Sequence, residues 1–141
     1  MSVSRSGYTL LELVIVLTII GILFAIAIPR AQLVLDGISV HAAADDVRAL
    51  LASARTLALA GRSPVAVDIG SAPGILRIRR GSEVLMSRNV TALHGVDVSR
   101  TRDSLSYDPH GLGHGAANLS IMLRRRAAVE TVFVSRFGRV R

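Results

Sequence analysis

The chain has 141 residues, of which half are hydrophobic and only 4% aromatic, and its seventeen basic residues, all arginine, against ten carboxylates give a formal charge of +7. No cysteine is present, which excludes a disulfide framework, a thiolate metal site and a cysteine nucleophile. Once an apolar N-terminus is set aside, the length allows one small domain but not two, held together by packing of Val, Leu, Ile and Ala.

A short basic leader, residues 1–7, ends in Gly7 and abuts an apolar run from Tyr8 to Ile28 that is stopped by Pro29-Arg30. At about 1.5 Å per helical residue, such a run is roughly 30 Å long, the hydrocarbon thickness of a bilayer. One carboxylate, Glu12, interrupts it. A carboxylate at the centre of a spanning helix costs roughly 2.5 to 3.5 kcal/mol on insertion scales, although Glu12 lies only one turn inside the run and can reach the headgroups more cheaply. A conventional secretory signal is the rival reading, with Ala25-Ile26-Ala27 as its small-x-small cleavage site and Ile28 as the first mature residue. The apolar core is too long for that pattern, and such cores seldom carry a Glu.

Pro29 removes a helical hydrogen bond and crowds the preceding turn, so a kink is expected there. Beyond it Val40, Ala43, Val47, Leu50, Ala54 and Leu57 recur at helical spacing, while Asp36, Asp45, Asp46, Arg48 and Arg55 fall largely elsewhere. Residues 30–61 therefore read as an amphipathic helix, with Gly61 and Ser63-Pro64 as its stop.

From Pro64 the period becomes two. Val65, Val67 and Ile69 alternate with Ala66 and Asp68, and Leu76 and Ile78 with Arg77 and Arg79, across the turn Ser71-Ala72-Pro73-Gly74, which predicts a hairpin. Residues 83–90, 95–98, 119–123 and 129–135 are further strand candidates. The tract from Asp108 to Gly115 is too rich in glycine for a regular element and reads as a surface loop; Phe133 reads as a core residue. The fold class expected is α+β: one long N-terminal helix packed on an antiparallel β-sheet domain over residues 62–141.

The order basic residue, Gly7, aromatic Tyr8, then Glu12 and apolar residues to Pro29 resembles the class III leader of type IV pilins and type II secretion pseudopilins. That resemblance implies cleavage between Gly7 and Tyr8 by a prepilin peptidase, methylation of the new amino terminus at Tyr8, and a role for Glu12 in subunit assembly. It also implies partners: other pilins or pseudopilins in a hetero-oligomeric filament, an inner-membrane assembly platform and membrane lipid, with the domain in the periplasm. The family usually has Phe where Tyr8 stands. Leu105-Ser-Tyr-Asp-Pro-His-Gly111 and the closing Val132 to Arg141 are similar to the H-type minor pseudopilins of type II secretion and the related T-type minor pilins. Residues 84–103 resemble nothing nameable.

Beyond Gly61 thirteen arginines face six carboxylates, so the whole excess charge lies on the domain, where it can attract phosphates, anionic headgroups or an acidic partner. Gly138-Arg139-Val140-Arg141 has the form of a closing motif that contributes to DNA binding in some T-type minor pilins, so Arg136, Arg139 and Arg141 are the residues of a DNA-binding alternative. Against it stand a merely solvated arginine face and the scarcity of aromatics for base stacking. His110 and His114 lie in a loop without helical geometry for a shared metal, and Gly111-Leu-Gly113-His-Gly115 lacks the βαβ context of a dinucleotide loop. Neither a metal, a cofactor nor catalysis is expected. The function expected is a minor pseudopilin in protein export, with the DNA-binding minor pilin as the alternative.

Overall fold

In the computed structural model, residues 9–70, 72, 74–114, 119–135 and 137–141 are described. One helix, α1 (Leu10–Gly61), precedes β1 (Val65–Asp68), β2 (Ile75–Arg80), β3 (Glu83–Asn89), α2 (Val90–His94), β4 (Asp97–Arg100), β5 (Ser104–Tyr107), β6 (Gly113–His114), β7 (Leu119–Arg125) and β8 (Ala128–Val134). Two compact units divide the chain between Val34 and Leu35.

The first unit is helical from Leu10, and every side chain in it from Thr9 to Val34 is exposed. The helix runs through Pro29 unbroken. Thr18, the polar residue deepest in the apolar run, donates its hydroxyl to the Val14 carbonyl at 2.7 Å, which removes the cost of an unmet donor in an apolar medium.

The second unit packs the rest of α1 against two antiparallel sheets, ordered β3-β2-β1-β5-β6 and β4-β7-β8. Ala43, Ala44, Val47, Leu51, Ala54 and Ala58 form the fully buried face of the helix, at the three and four residue spacing that puts them on one stripe. Alanines dominate that stripe, so the sheets' larger Val, Ile and Leu side chains can fill the space over it. Five strands each supply one side: Val65 and Val67 from β1, Leu76 and Ile78 from β2, Leu105 and Tyr107 from β5, Leu119, Ile121 and Leu123 from β7, and Val132 and Val134 from β8.

The Val65–Asp68 and Ile75–Arg80 hairpin matches the period-two reading. Other expectations need correction. The alternation Val132-Phe133-Val134 turns both valines inward, and Phe133, read as core, is 58% exposed. Asp36, assigned to the polar face, is 2% exposed. The glycine-rich tract is a loop only in part, because Gly113 and His114 pair with Tyr107 and Ser106. Gly61 closes α1 as expected, but the left-handed residue is Arg62, with φ +45°. The reason for a glycine at 61 is room: a Cβ there would stand 2.5 Å from the Arg80 guanidinium, which donates to the Leu57 carbonyl at 3.2 Å and so caps the last turn. Replacing Leu51, at the centre of the stripe, by Ala is expected to destabilise the domain by about 2 to 5 kcal/mol, seen as a lowered melting temperature by circular dichroism in detergent.

Candidate functional site

Two regions carry the residues singled out from the sequence. The first is the start of α1. Thr9 precedes the first helical residue, and its hydroxyl accepts a hydrogen bond from the Glu12 amide at 3.2 Å, while the Leu13 amide donates to the Thr9 carbonyl at 3.2 Å. Thr9-Leu-Leu-Glu12 thus has the Thr-x-x-Glu spacing of a capping box, and the negative side chain lies in the first turn where the helix dipole favours it. Glu12 is exposed, as are all its neighbours on α1. The sequence signal for Thr9 is its three-residue spacing to Glu12. Gly7 and Tyr8 lie outside the described residues, as does Arg136.

The second region is the domain's charged surface. Two acidic residues of α1, Asp36 and Asp46, are met by basic residues from outside the helix, and a third cluster runs the other way, with Glu130 of β8 met by Arg48 and His41 of α1. Asp36 is clamped at the tip of the β7–β8 hairpin: Arg125 Nε lies 2.9 Å from Oδ1, and Arg126 Nη1 lies 3.1 Å from both carboxylate oxygens. Arg125 also donates to Ser39 Oγ at 3.0 Å and to the His94 carbonyl at 2.7 Å. Arg126 adopts φ +51°, a left-handed conformation costing about 1 kcal/mol for a residue with a Cβ, which the ion pair helps to offset. Sequence periodicity could not find this site, because an aspartate on a helix is read as solvent-facing until its cations are placed.

One helical turn on, Glu130 of β8 receives Arg48 Nη2 at 2.7 Å and stands 3.1 Å from His41 Nδ1. Burial pushes its carboxyl upward, but the hydrogen bonds from Arg48 and His41 outweigh that and hold it below the ordinary glutamate value. Asp46 lies 2.8 Å from His94 Nε2 and 3.1 Å from Arg88 Nη2; the His94 hydrogen bond, helped by Arg88, holds its carboxyl low against the opposing effect of burial.

In the loop after β5, Asp108 Oδ1 accepts from the amides of Leu112 at 2.8 Å and His110 at 2.9 Å, and its Oδ2 stands 3.4 Å from His114 Nε2. The Leu112 amide foremost, then His110 and His114, hold this carboxyl below the usual range. Asp108 is occupied in closing its own turn.

Arg139 and Arg141 are exposed on either side of half-buried Val140. Their backbone pairs with the edge of β8, Arg141 with Phe133 through two bonds of 2.9 Å and the Arg139 carbonyl with the Ser135 amide at 2.8 Å. Period two therefore turns both guanidinium groups outward from one strand face. Arg55 of α1 and the exposed Phe133 and Phe137 border the same groove.

Residues 3–28 match the family model described as the prokaryotic N-terminal methylation motif. The fold is similar to that of the type IV minor pilin FimU of Pseudomonas aeruginosa strain PAO1 in two crystal forms. TM-scores are 0.62 and 0.59 at 15% identity, over 72% of this chain and 86% and 90% of the FimU chains. Among curated proteins none matches in sequence. The chain combines a prepilin-type N-terminal motif with a pilin-like fold, and among the described residues one helix is long and apolar enough for a single-pass anchor.

Asp36→Asn is expected to lower stability by about 1 to 3 kcal/mol, because it leaves two arginines without their anion; Arg126→Ala, with a side chain 66% exposed, is expected to cost under about 1 kcal/mol. Chemical denaturation of the variants in detergent measures both. Glu130 and Asp46 have folded pKa values below their ordinary 4.5 and 3.8, so the unfolded chain takes up protons first on acidification. Their contribution is full above those ordinary values and lost as pH falls through the lower folded ones. Glu130→Gln is expected to flatten stability against pH below about 4.5, followed by unfolding at stepped pH.

Proposed function

We propose that this type IV pilin-like chain is a minor structural subunit of a filament, and specifically a minor pseudopilin of a type II secretion machine in the bacterial inner membrane. The observation that carries the reading is the first unit: an uncovered apolar helix from Leu10 to Val34, with one carboxylate at its start that lies inside a methylation motif. Such a surface is stable only against lipid or other apolar helices, and its single carboxylate, Glu12, marks the end that needs a cationic partner.

On this reading a prepilin peptidase cuts between Gly7 and Tyr8 and the Tyr8 amine is methylated. The amine of one subunit then pairs with Glu12 of a neighbour displaced along the helical stack. In a low-dielectric medium each charge lowers the other's desolvation cost, while either one left alone is heavily penalised, so Glu12 sets the register of assembly. Residues 8–29 span the membrane. Pro29, which deprives the Ala25 carbonyl of its helical donor, lets the rod bend before residues 30–61, and the β-rich remainder lies in the periplasm. The secretion assignment is supported by the likeness of Leu105–Gly111 and the closing residues to H-type subunits. The FimU likeness favours a second reading, a minor pilin of a surface pilus, and operon neighbours separate the two.

Intact mass of the protein from its membrane is expected to show loss of residues 1–7 and one added methyl group; an uncut chain in cells that contain the peptidase overturns the proposal. Glu12→Ala is expected to partition into membranes like the parent while cross-linking to neighbouring subunits falls about tenfold, the factor carried by about 1.4 kcal/mol.

A further inference from the structure

A groove of about 1090 Å³ runs beside β8 and its paired arm, walled by Arg55, Leu112, Phe133, Phe137, Arg139 and Arg141. A second hollow of about 570 Å³ along the last turns of α1 shares Arg55, Arg139 and Arg141 with it and is also lined by Tyr107. The three arginines concentrate positive charge at the shared wall. Among the described residues none of them has a carboxylate within ion-pairing distance, whereas Asp36, Asp45, Asp46, Asp68, Asp103, Asp108 and Glu130 are each engaged by another cation or histidine.

Beneath the wall, Arg55 Nε and the Tyr107 hydroxyl are buried without a hydrogen-bond partner. Both are donors. Burial pushes the Tyr107 hydroxyl up to about 12, so it keeps its proton at any physiological pH. Unmet donors beside unpaired guanidinium groups call for a ligand made of acceptors. The apolar walls call for something else as well. Phe133 and Phe137 are 58% and 66% exposed, two of the three aromatics in the domain, and such side chains gain most from being covered. The arm that carries Arg139 and Arg141 is held by its backbone pairing to Phe133 and Ser135, so the cations are positioned before any ligand arrives.

We propose that this groove docks an acidic segment of another protein, whose Asp or Glu carboxylate is held among Arg55, Arg139 and Arg141 while a neighbouring bulky apolar side chain covers Phe133 and Phe137. The planar guanidinium fork suits a carboxylate held by paired N–H bonds. A nucleic-acid strand fits less well: its phosphates would be met, but its bases also present amino groups. Besides the hydroxyls of Ser120 and Ser135, the lining side chains of the larger groove are donors or hydrocarbon, so those groups would be buried without acceptors. The proposal goes beyond filament membership, which is read at Glu12 and not in this groove.

Selection from a random peptide library displayed on phage, with the full chain in detergent micelles as bait, tests it. The selected peptides are expected to carry Asp or Glu close to Phe, Leu, Ile or Trp. Changing their acids to amides is expected to weaken binding about tenfold or more, and the Arg139→Gln/Arg141→Gln and Phe133→Ser proteins are expected to bind as weakly. These three side chains are exposed, and the amide peptides test the proposal with the parent protein whatever the variants do. Peptides without acidic enrichment, or amide forms that bind as tightly, overturn it. So does a single-stranded oligothymidylate that displaces the peptides at lower concentration, which assigns the groove to nucleic acid.

Discussion

Within hydrocarbon no water is available to satisfy a peptide group, so the backbone of a spanning segment must meet its own hydrogen-bonding needs. The helix from Leu10 does this turn by turn, and the exceptions are placed where they cost least. The open amides at its start are met in part by Thr9, Thr18 returns its hydroxyl to the turn below, and the donor missing at Pro29 falls at the end of the apolar run. With the backbone satisfied, the side chains are free to be apolar on every face, and this helix has no face turned inward among the residues from Leu10 to Leu35. A surface of that kind has no stable existence in water. Lipid or other apolar helices are the surroundings that would cover it.

The part of α1 in the domain obeys a different rule. There one stripe, built largely of alanine, is sealed by two sheets, and charges on the remaining faces are tied to residues of opposite charge from distant strands. Arginine suits this work, since one planar fork can serve several acceptors at once; Arg125 bonds Asp36, Ser39 and the His94 carbonyl together. A burial as complete as that of Asp36 is tolerable because both its oxygens are met, and the hairpin tip is thereby fixed to the helix.

Elements whose signal is local were legible in the sequence. The apolar run, the three and four residue spacing from Val40 to Leu57 and the alternation around Ser71 to Gly74 are repeated patterns, and the structure follows them. The five residues of α2 are too few for a period to emerge, though Asn89, whose side chain accepts from the Ala92 amide, and left-handed Gly95 mark its two ends. β5 has the right alternation but only four residues, and β6 exists only because β5 lies beside it. Phe133 reads as core by its hydrophobicity, but its parity on β8, opposite to that of buried Val132 and Val134, turns it outward. The groove could not be read at all: Arg55, Phe133 and Arg139 come together only through the pairing of the arm with β8, and no periodicity links positions so far apart in the chain.

That pairing depends on one small residue. Gly138 turns the chain back toward β8 at φ +72°, and a Cβ there would come within 2.8 Å of the Tyr107 ring and 3.2 Å of the Gly113 amide. An unguarded strand presents a row of idle donors and acceptors to any other extended chain. The seat of a single hydrogen atom on an aromatic ring therefore decides whether the outer border of the smaller sheet is closed by the protein's own backbone or left as a template for aggregation.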